Sequence, residues 1–341
     1  MRRIISAPVH FRGIASLIIL SVALTLSITI VIAQSLPTPI SSFSSGTPIP
    51  WCPHPVSVIP FPTELTPNTG IADDLCEHFY VSSTYGEDES PLLARLNITL
   101  FPLVINKAPI PSTLRGEGYT RLHDFDWNGD ILYVPVTGSR GSVIILYKSI
   151  TLELIQIIQD PILDGVNVTT TVIDYGTRSL YAFLSGRTEV LVLSLASLQF
   201  QSPLTHIQWS DSIQPQQVRG AILQQPGSLY VMVSTEDANE SWNGRRAYTT
   251  YQLDLSSGSF NQTPSLVIQP SGDESIDATG IANIWSADAA PNIGVYHAAD
   301  SHFMYNFNIC DSDAKSTMQH SRRQMGHRHR NCPASNTFAR E

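Results

Sequence analysis

The chain has 341 residues, 42% hydrophobic and 14% charged, with 23 Pro, 20 Gly and 4 Cys, a mix that excludes collagenous, disordered and disulfide-scaffolded classes and leaves one large globular domain or two modest ones. The formal charge of −9 hides a segregation: residues 1 to 33 carry three Arg and no acid, residues 34 to 312 carry 11 basic and 27 acidic groups, and residues 313 to 341 carry six basic and two acidic. Lys107, Lys148 and Lys315 are the only lysines, so the body has nothing to neutralise a run of phosphates, and nucleic acid is excluded as its partner.

Residues 1 to 13 form a basic flank with Arg2, Arg3 and Arg12, and residues 14 to 33 run without a charge, Pro or Gly. Two readings of this hydrophobic helix stay open. Its length matches a ~30 Å hydrocarbon core, as in a single-pass signal-anchor; Val31 and Ala33 ahead of Gln34 fit the small-residue rule for a cleaved signal peptide. In both, the Arg-rich flank stays cytoplasmic and everything after it is exported, which places the body in an extracellular or lumenal compartment, anchored through residues 14 to 33 or secreted. Four sequons, at Asn97, Asn167, Asn239 and Asn261, agree with export as glycosylation acceptors. The cysteines then sit in an oxidising compartment as two near pairs, Cys52 with Cys76 and Cys310 with Cys332; all three connectivities remain open, and the absence of Cys-x-x-Cys removes zinc-ribbon and thioredoxin-like readings.

Residues 34 to 69 are rich in Pro, Ser and Thr and read as an extended stalk. Within them, 56 to 62 (VSVIPFP) also fits an edge strand, the one sheet position where Pro is tolerated.

From residue 70 to 312 the chain repeats. A hydrophobic strand carrying a Tyr, a turn and a second strand recur around Tyr80, Tyr133, Tyr181, Tyr230 and Tyr296, with spacings close to 50 residues except where a polar insert around Glu236 to Arg246 lengthens the last. Val, Ile, Tyr and Thr enrichment with turns at Asn128-Gly129, Gly138, Gly186, Gly227 and Ser257-Gly258 makes the units β. No helical period follows residue 34. Units of this length built from four short strands are propeller blades, whereas β-sandwich modules need ~100 residues per core. The expected fold is therefore all-β, a β-propeller of five to six four-stranded blades behind one N-terminal hydrophobic helix, with the 56 to 62 strand available to complete the last blade.

The Leu-Tyr strand followed by a strand ending in Leu-x-Leu or Asp-Leu resembles the repeats of secreted and periplasmic β-propellers of the YVTN, YWTD and NHL type. Residues 118 to 136 (GYTRLHDFDWNGDILYVPV) are also similar to a propeller stretch of the form Gly-Tyr-Asn-His-Ile-Gly-Asp-Ile-Asp-Tyr with a following Tyr-Val-Pro strand. The match holds at Gly118, Tyr119, Asp124, Asp126, Tyr133, Val134 and Pro135 and departs at Thr120, Arg121 and His123. The resemblance implies the fold; the superfamily hosts binding proteins, lactonases and inert scaffolds, so it implies no activity.

Candidate chemistry centres on carboxylates. Asp124, Asp126, Asn128 and Asp130 place oxygens at alternate positions around Gly129, as calcium prefers, but Pro135 stands where an EF-hand needs its twelfth acidic ligand; the competing reading is a hairpin turned by Asn128-Gly129 in type I′ geometry. Asp73, Asp126 and Asp174 each precede a repeat Tyr by seven residues, so Asp124, Asp126 and Asp174 form a candidate cation site, for Ca²⁺, in a central channel, against a reading as turn formers. His123, His206, His297 and His302 have unmatched offsets and are not expected to converge. Residues 313 to 341, with His320, His327 and His329 among Arg, read as a disordered basic tail or the product of a disturbed reading frame. No nucleophile elbow, zincin helix, catalytic-type Cys or phosphate loop is present. The expected function is a protein- or glycan-binding module rather than an enzyme, with a calcium-dependent lactonase or hydrolase as the alternative.

Overall fold

A computed structural model describes residues 57–73, 78–84, 91–97, 103–211, 213–225, 227–236, 246–261, 266–268, 278–282, 296–300 and 303–307. The hydrophobic segment, all four cysteines and the basic tail lie outside these residues. Among them the strands are β1 (Ser57–Pro60), β2 (Asn68–Asp73), β3 (His78–Ser83), β4 (Leu92–Asn97), β5 (Leu103–Pro109), β6 (Tyr119–Leu122), β7 (Asp126–Asn128), β8 (Ile131–Gly138), β9 (Gly141–Lys148) and β10 (Leu154–Ile158). They continue as β11 (Val168–Asp174), β12 (Ser179–Leu184), β13 (Val190–Ser194), β14 (Val218–Gln225), β15 (Ser228–Glu236), β16 (Arg246–Asp254), β17 (Ser259–Phe260), β18 (Leu266–Ile268), β19 (Ala278–Ala282), β20 (Tyr296–Asp300) and β21 (Phe303–Phe307). One five-residue helix, α1 (Ser112–Gly116), links the first two sheets.

The strands form five antiparallel sheets: β2 to β5; β6 to β10; β11 to β13; β14 to β18; and β19 to β21 with β1. Their first strands stand side by side in a closed cycle, β2 beside β7, β7 beside β11, β11 beside β14, β14 beside β19 and β19 beside β2. This is a β-propeller with five blades. In the third, bridges from Val190 to Leu204 and from Leu193 to Phe200 put the segment 200 to 204 where an outer strand would lie. The N-terminal strand closes the ring by pairing antiparallel with β21, Ser57 opposite Asn306 through Pro60 opposite Phe303. The stretch 34 to 69, read from its composition as a stalk, therefore joins the fold from Ser57 onward.

The core is divided among the gaps between blades. Leu132, Val134 and Val136 of β8 pack toward the first blade with Ala72, Leu93 and Leu122, while Tyr133, one residue out of phase, packs toward the third with Ile173, Leu180 and Leu191. Both faces of a blade are covered, so its middle strands are apolar at consecutive positions instead of alternating. Three of the repeat tyrosines fill the gap to the following blade: Tyr80 faces the second blade, Tyr133 the third and Tyr181 the fourth.

Each first strand opens with the same irregularity. The register slips between Asn68 and Gly70, Tyr119 and Arg121, Val168 and Thr170, Val218 and Gly220, and Ala278 and Gly280. One bulged residue per blade turns the strand into the ring. The second blade adds a further break. Pro135 has no N–H for the ladder, and opposite it the chain leaves the sheet between β6 and β7, keeping only the His123 N–H bond to the Pro135 carbonyl at 3.1 Å. The expelled residues, 123 to 125, move onto the axis.

Candidate functional site: the channel of the ring

Asp124 occupies that axis and is fully buried. Its Oδ1 accepts from the Ile71 N–H of the first blade at 3.2 Å and its Oδ2 from the Thr170 hydroxyl of the third at 2.7 Å. The Ala221 N–H of the fourth blade is also hydrogen-bonded to the carboxyl, and the Asp124 carbonyl accepts from Thr171 N–H at 3.2 Å. The inner edges of first strands are unpaired edges, whose donors must find acceptors; Asp124 supplies them for three blades at once. Burial pushes its carboxyl well above the usual carboxylate range, the bonds from Thr170, Ile71 and Ala221 oppose that, and nearby Asp126 adds to it. Close contact makes the neighbouring glycine obligatory, since a Cβ on Gly70 would lie 2.5 Å from Asp124 Cα.

Asp126 and Asp174 repeat the pattern one step along. Asp126 Oδ1 accepts from the Trp127 N–H at 2.7 Å and Oδ2 from the Ile173 N–H of the third blade at 2.8 Å. Burial raises its pKa to about 7 against the pull of those two bonds. Asp174 Oδ1 caps the turn at Gly176 N–H and Thr177 N–H, at 2.8 and 3.3 Å, while Oδ2 reaches the Gly227 N–H of the fourth blade at 2.8 Å. Beside Asp126 stands Tyr175, whose hydroxyl donates to the Trp127 carbonyl and whose pKa is raised by burial first and then by Asp126, Asp73 and Tyr133.

The three predicted carboxylates thus lie along the channel as acceptors between blades, and among the described residues no three His, Cys, Asp or Glu side chains group as ion ligands. The hairpin after Asp126 is turned by Gly129-Asp130, not Asn128-Gly129: Asn128 pairs with Ile131 and only Gly129 has positive φ, 60°. That is the sign pattern of a II′ turn rather than I′. His206 bonds the Leu255 carbonyl at 2.9 Å, far in sequence and setting from His123, whose Nε2 meets Thr137 Oγ1 at 2.8 Å. The side chains of His297 and His302 lie outside the described residues.

At the end of the channel where the first strands start, Arg121 follows the bulge of β6 and Arg219 is the bulged residue of β14, and the charges of both act on His123. Burial, then these two guanidinium groups, lower its pKa to about 3. Neither arginine stands out against the tyrosine period. The signal in the sequence for this mouth was the recurrence Asn68-Thr69-Gly70, Tyr119-Thr120-Arg121, Val168-Thr169-Thr170 and Ala278-Thr279-Gly280, which marks the bulges more faithfully than the tyrosines do.

No protein-family model matches the chain, and no curated protein is similar to it in sequence. Among solved structures, the glutaminyl cyclase of Myxococcus xanthus is similar at 12% identity over 78% of this chain and 100% of that one, with a TM-score of 0.49. The major allergen Mala s 1 of Malassezia sympodialis is similar at 9% identity over 74% and 96%, with a TM-score of 0.47. AztD of Citrobacter koseri is similar at 15% identity over 61% and 51%, with a TM-score of 0.34. These are likenesses of fold at low identity and say nothing of activity.

Proposed function

We propose that the chain is an exported β-propeller of the YVTN, YWTD or NHL kind, held at a membrane by residues 14 to 33 or released by cleavage after them, that binds a protein or glycan ligand without catalysis. The observation that carries this reading is the commitment of the channel carboxylates: Asp124, Asp126 and Asp174 each accept hydrogen bonds from a neighbouring blade. A hydrolase built on an acidic channel would need those oxygens for its ion or substrate. The sequons support export, since Asn97 ends β4, Asn167 precedes β11 and Asn261 follows β17, and strand ends are where a glycan is accommodated without disturbing a core.

The test uses the chain secreted from a eukaryotic host. A mobility shift on glycosidase treatment is expected, together with saturable binding on a glycan array or to a purified cell-surface protein, and no turnover of lactones or esters with or without millimolar Ca²⁺. Calcium-dependent turnover that Asp126→Asn removes, with a matching calcium rise in unfolding temperature, would replace this reading by the hydrolase one.

A further inference from the structure

Among the described residues six large apolar side chains are exposed, and five of them, Leu103, Ile105, Ile150, Leu154 and Ile155, belong to the outer rim of the first two blades. Leu103 and Leu154 open the outermost strands β5 and β10, and Ile105 and Ile155 are the residues at which those strands bulge. The two rims meet at the turn that connects β9 to β10. Arg95 Nη1 of the first blade donates to the Ile150 carbonyl at 3.1 Å, and Asn106 Nδ2, next to Ile105, donates to the Thr151 carbonyl at 2.6 Å. Leu154 lies opposite Tyr147, whose side chain packs toward the first blade with Tyr80 and Leu93. Residues opposite one another share a face of the sheet, so Leu154 looks across the same gap. An apolar rim on outermost strands is a template for another chain.

Asn97, the acceptor of the first sequon, stands in this patch. It lies directly opposite Leu103, the most exposed of the five at 67%, and two residues past Arg95, hence on the same face of the blade as both. The other two described acceptors, Asn167 before β11 and Asn261 after β17, belong to the third and fourth blades, whose described residues include none of the exposed large apolar side chains. We infer that a glycan on Asn97 lies over this patch and shields it from a second copy of the chain. The inference rests on the export reading above, since only an exported chain meets the sugar donor. In that modification Asn97 Nδ2 gives up one hydrogen and bonds C1 of an N-acetylglucosamine, while the isoprenoid pyrophosphate that carried the sugar leaves with the proton. The ring C–H faces and acetyl methyl of that sugar meet Leu103, Ile150 and Leu154 while its hydroxyls stay in water, so the apolar rim becomes a hydrated one. Tethering makes the contact intramolecular, and a weak one is then enough to keep the patch covered.

The experiment uses the full chain secreted from a eukaryotic host. Site occupancy is read by glycopeptide mass spectrometry, self-association by sedimentation velocity over a range of concentrations, and apolar exposure by the fluorescence of an anilinonaphthalene dye. Wild type is compared with Asn97→Gln, with Thr99→Ala, which removes the sugar and keeps the asparagine, and with Asn167→Gln as the control for a glycan lost elsewhere. Enzymatic removal of the sugars from folded wild type separates loss of the glycan from failure to fold. Wild type and Asn167→Gln should be monomeric throughout, whereas Asn97→Gln, Thr99→Ala and the enzyme-treated chain should associate as concentration rises and bind several-fold more dye. Adding Leu103→Ser and Leu154→Ser to Asn97→Gln should return the monomer. Asn97 without sugar while Asn167 or Asn261 carries one overturns this inference and leaves the export reading standing; no sugar at any acceptor overturns both. Association of the fully glycosylated wild type, equal behaviour of wild type and the enzyme-treated chain, or association of Asn97→Gln that the serine substitutions leave unchanged overturns the inference as well.

Discussion

Asp124 shows how one side chain can hold a ring together. Its two oxygens and its carbonyl meet donors from the first, third and fourth blades, and the whole residue is shut off from solvent. Asp124→Ala would leave Ile71 N–H, Ala221 N–H and the Thr170 hydroxyl buried without acceptors, at roughly 1 to 3 kcal/mol each. The unfolding temperature should fall by on the order of 10 °C or more at ~2 to 4 °C per kcal/mol, and Asp124→Asn, which keeps one oxygen, should fall less. Equal, small losses measured by calorimetry would mean that the axis tolerates an empty position. Asp126 gives the pH-dependent counterpart. Its folded-state pKa of about 7 lies above the unfolded value of ~3.9, so the folded chain holds the proton more tightly. Its contribution to stability is complete below about pH 4 and is lost as pH rises through about 7. A titration of unfolding temperature from pH 4 to 8 should therefore slope downward in wild type and be flatter in Asp126→Asn, the slope that remains reflecting Asp124, whose pKa is raised too. Parallel curves would remove Asp126 from the account.

At the scale of elements, three blades use one turn between their third and fourth strands. Leu152 N–H closes on the Lys148 carbonyl, Leu198 N–H on Ser194 and Gly258 N–H on Asp254, each at 2.8 Å, and the closing residue is left-handed, with φ of 55°, 54° and 69°. Only the fourth blade has glycine there; Leu152 endures the conformation because its side chain is buried in the core. Arg178, in the hairpin between β11 and β12, has φ of 53° and an exposed side chain, hence nothing that offsets the left-handed penalty of ~1 to 2 kcal/mol. Arg178→Gly should accordingly raise the unfolding temperature by about 1 to 4 °C after glycine's own entropic penalty. Leu152→Gly, with the same φ, should lower it by several degrees through the lost core side chain; a fall in both would show that the angle is not strained. Strands were legible in the sequence because β-branched and aromatic residues mark them, but hairpin length was not. Asp73, Asp126 and Asp174 share one offset from a tyrosine, yet they lie opposite Phe79, Tyr133 and Ser179, since the intervening turns differ in length and absorb the offset. By bulge register Asp73 matches Asp124 instead, each four residues past its Thr. The apparent ring of three equivalent carboxylates was a coincidence of counting.

At the scale of the molecule, the sequence left five or six blades open, which the five sheets decide, but the repeat itself was legible because each unit must bury both faces against a neighbour, which sets Tyr80, Tyr133 and Tyr181 at the same gap in successive units. The plug on the axis was not, because it arises from a single proline that breaks one ladder and sends Asp124 across the axis toward partners 46 to 53 residues away. Closure is a third kind of feature, legible from position alone: a strand before the first complete unit has only the last blade left to join. β1 does so through four register pairs with β21, and its neighbours Phe61 and Leu65 bury themselves beside Met304 of the last blade and Phe79 of the first. The seam of the ring is thus held by ladder bonds and by apolar packing, while every other boundary is crossed by continuous chain. Two chains exported by the same heterologous signal, one starting at residue 34 and one at 61, isolate the ladder, because the second keeps Phe61 and Leu65. Without β1, the β21 edge is unpaired, and its amides should exchange with solvent orders of magnitude faster while those of β8 and β12 keep most of their protection. The unfolding temperature should drop and the transition broaden, as a ring opened at one seam unfolds from that end. If β21 stayed protected in the shorter chain, apolar packing alone would close the propeller and β1 would be an addition to a ring that is already complete.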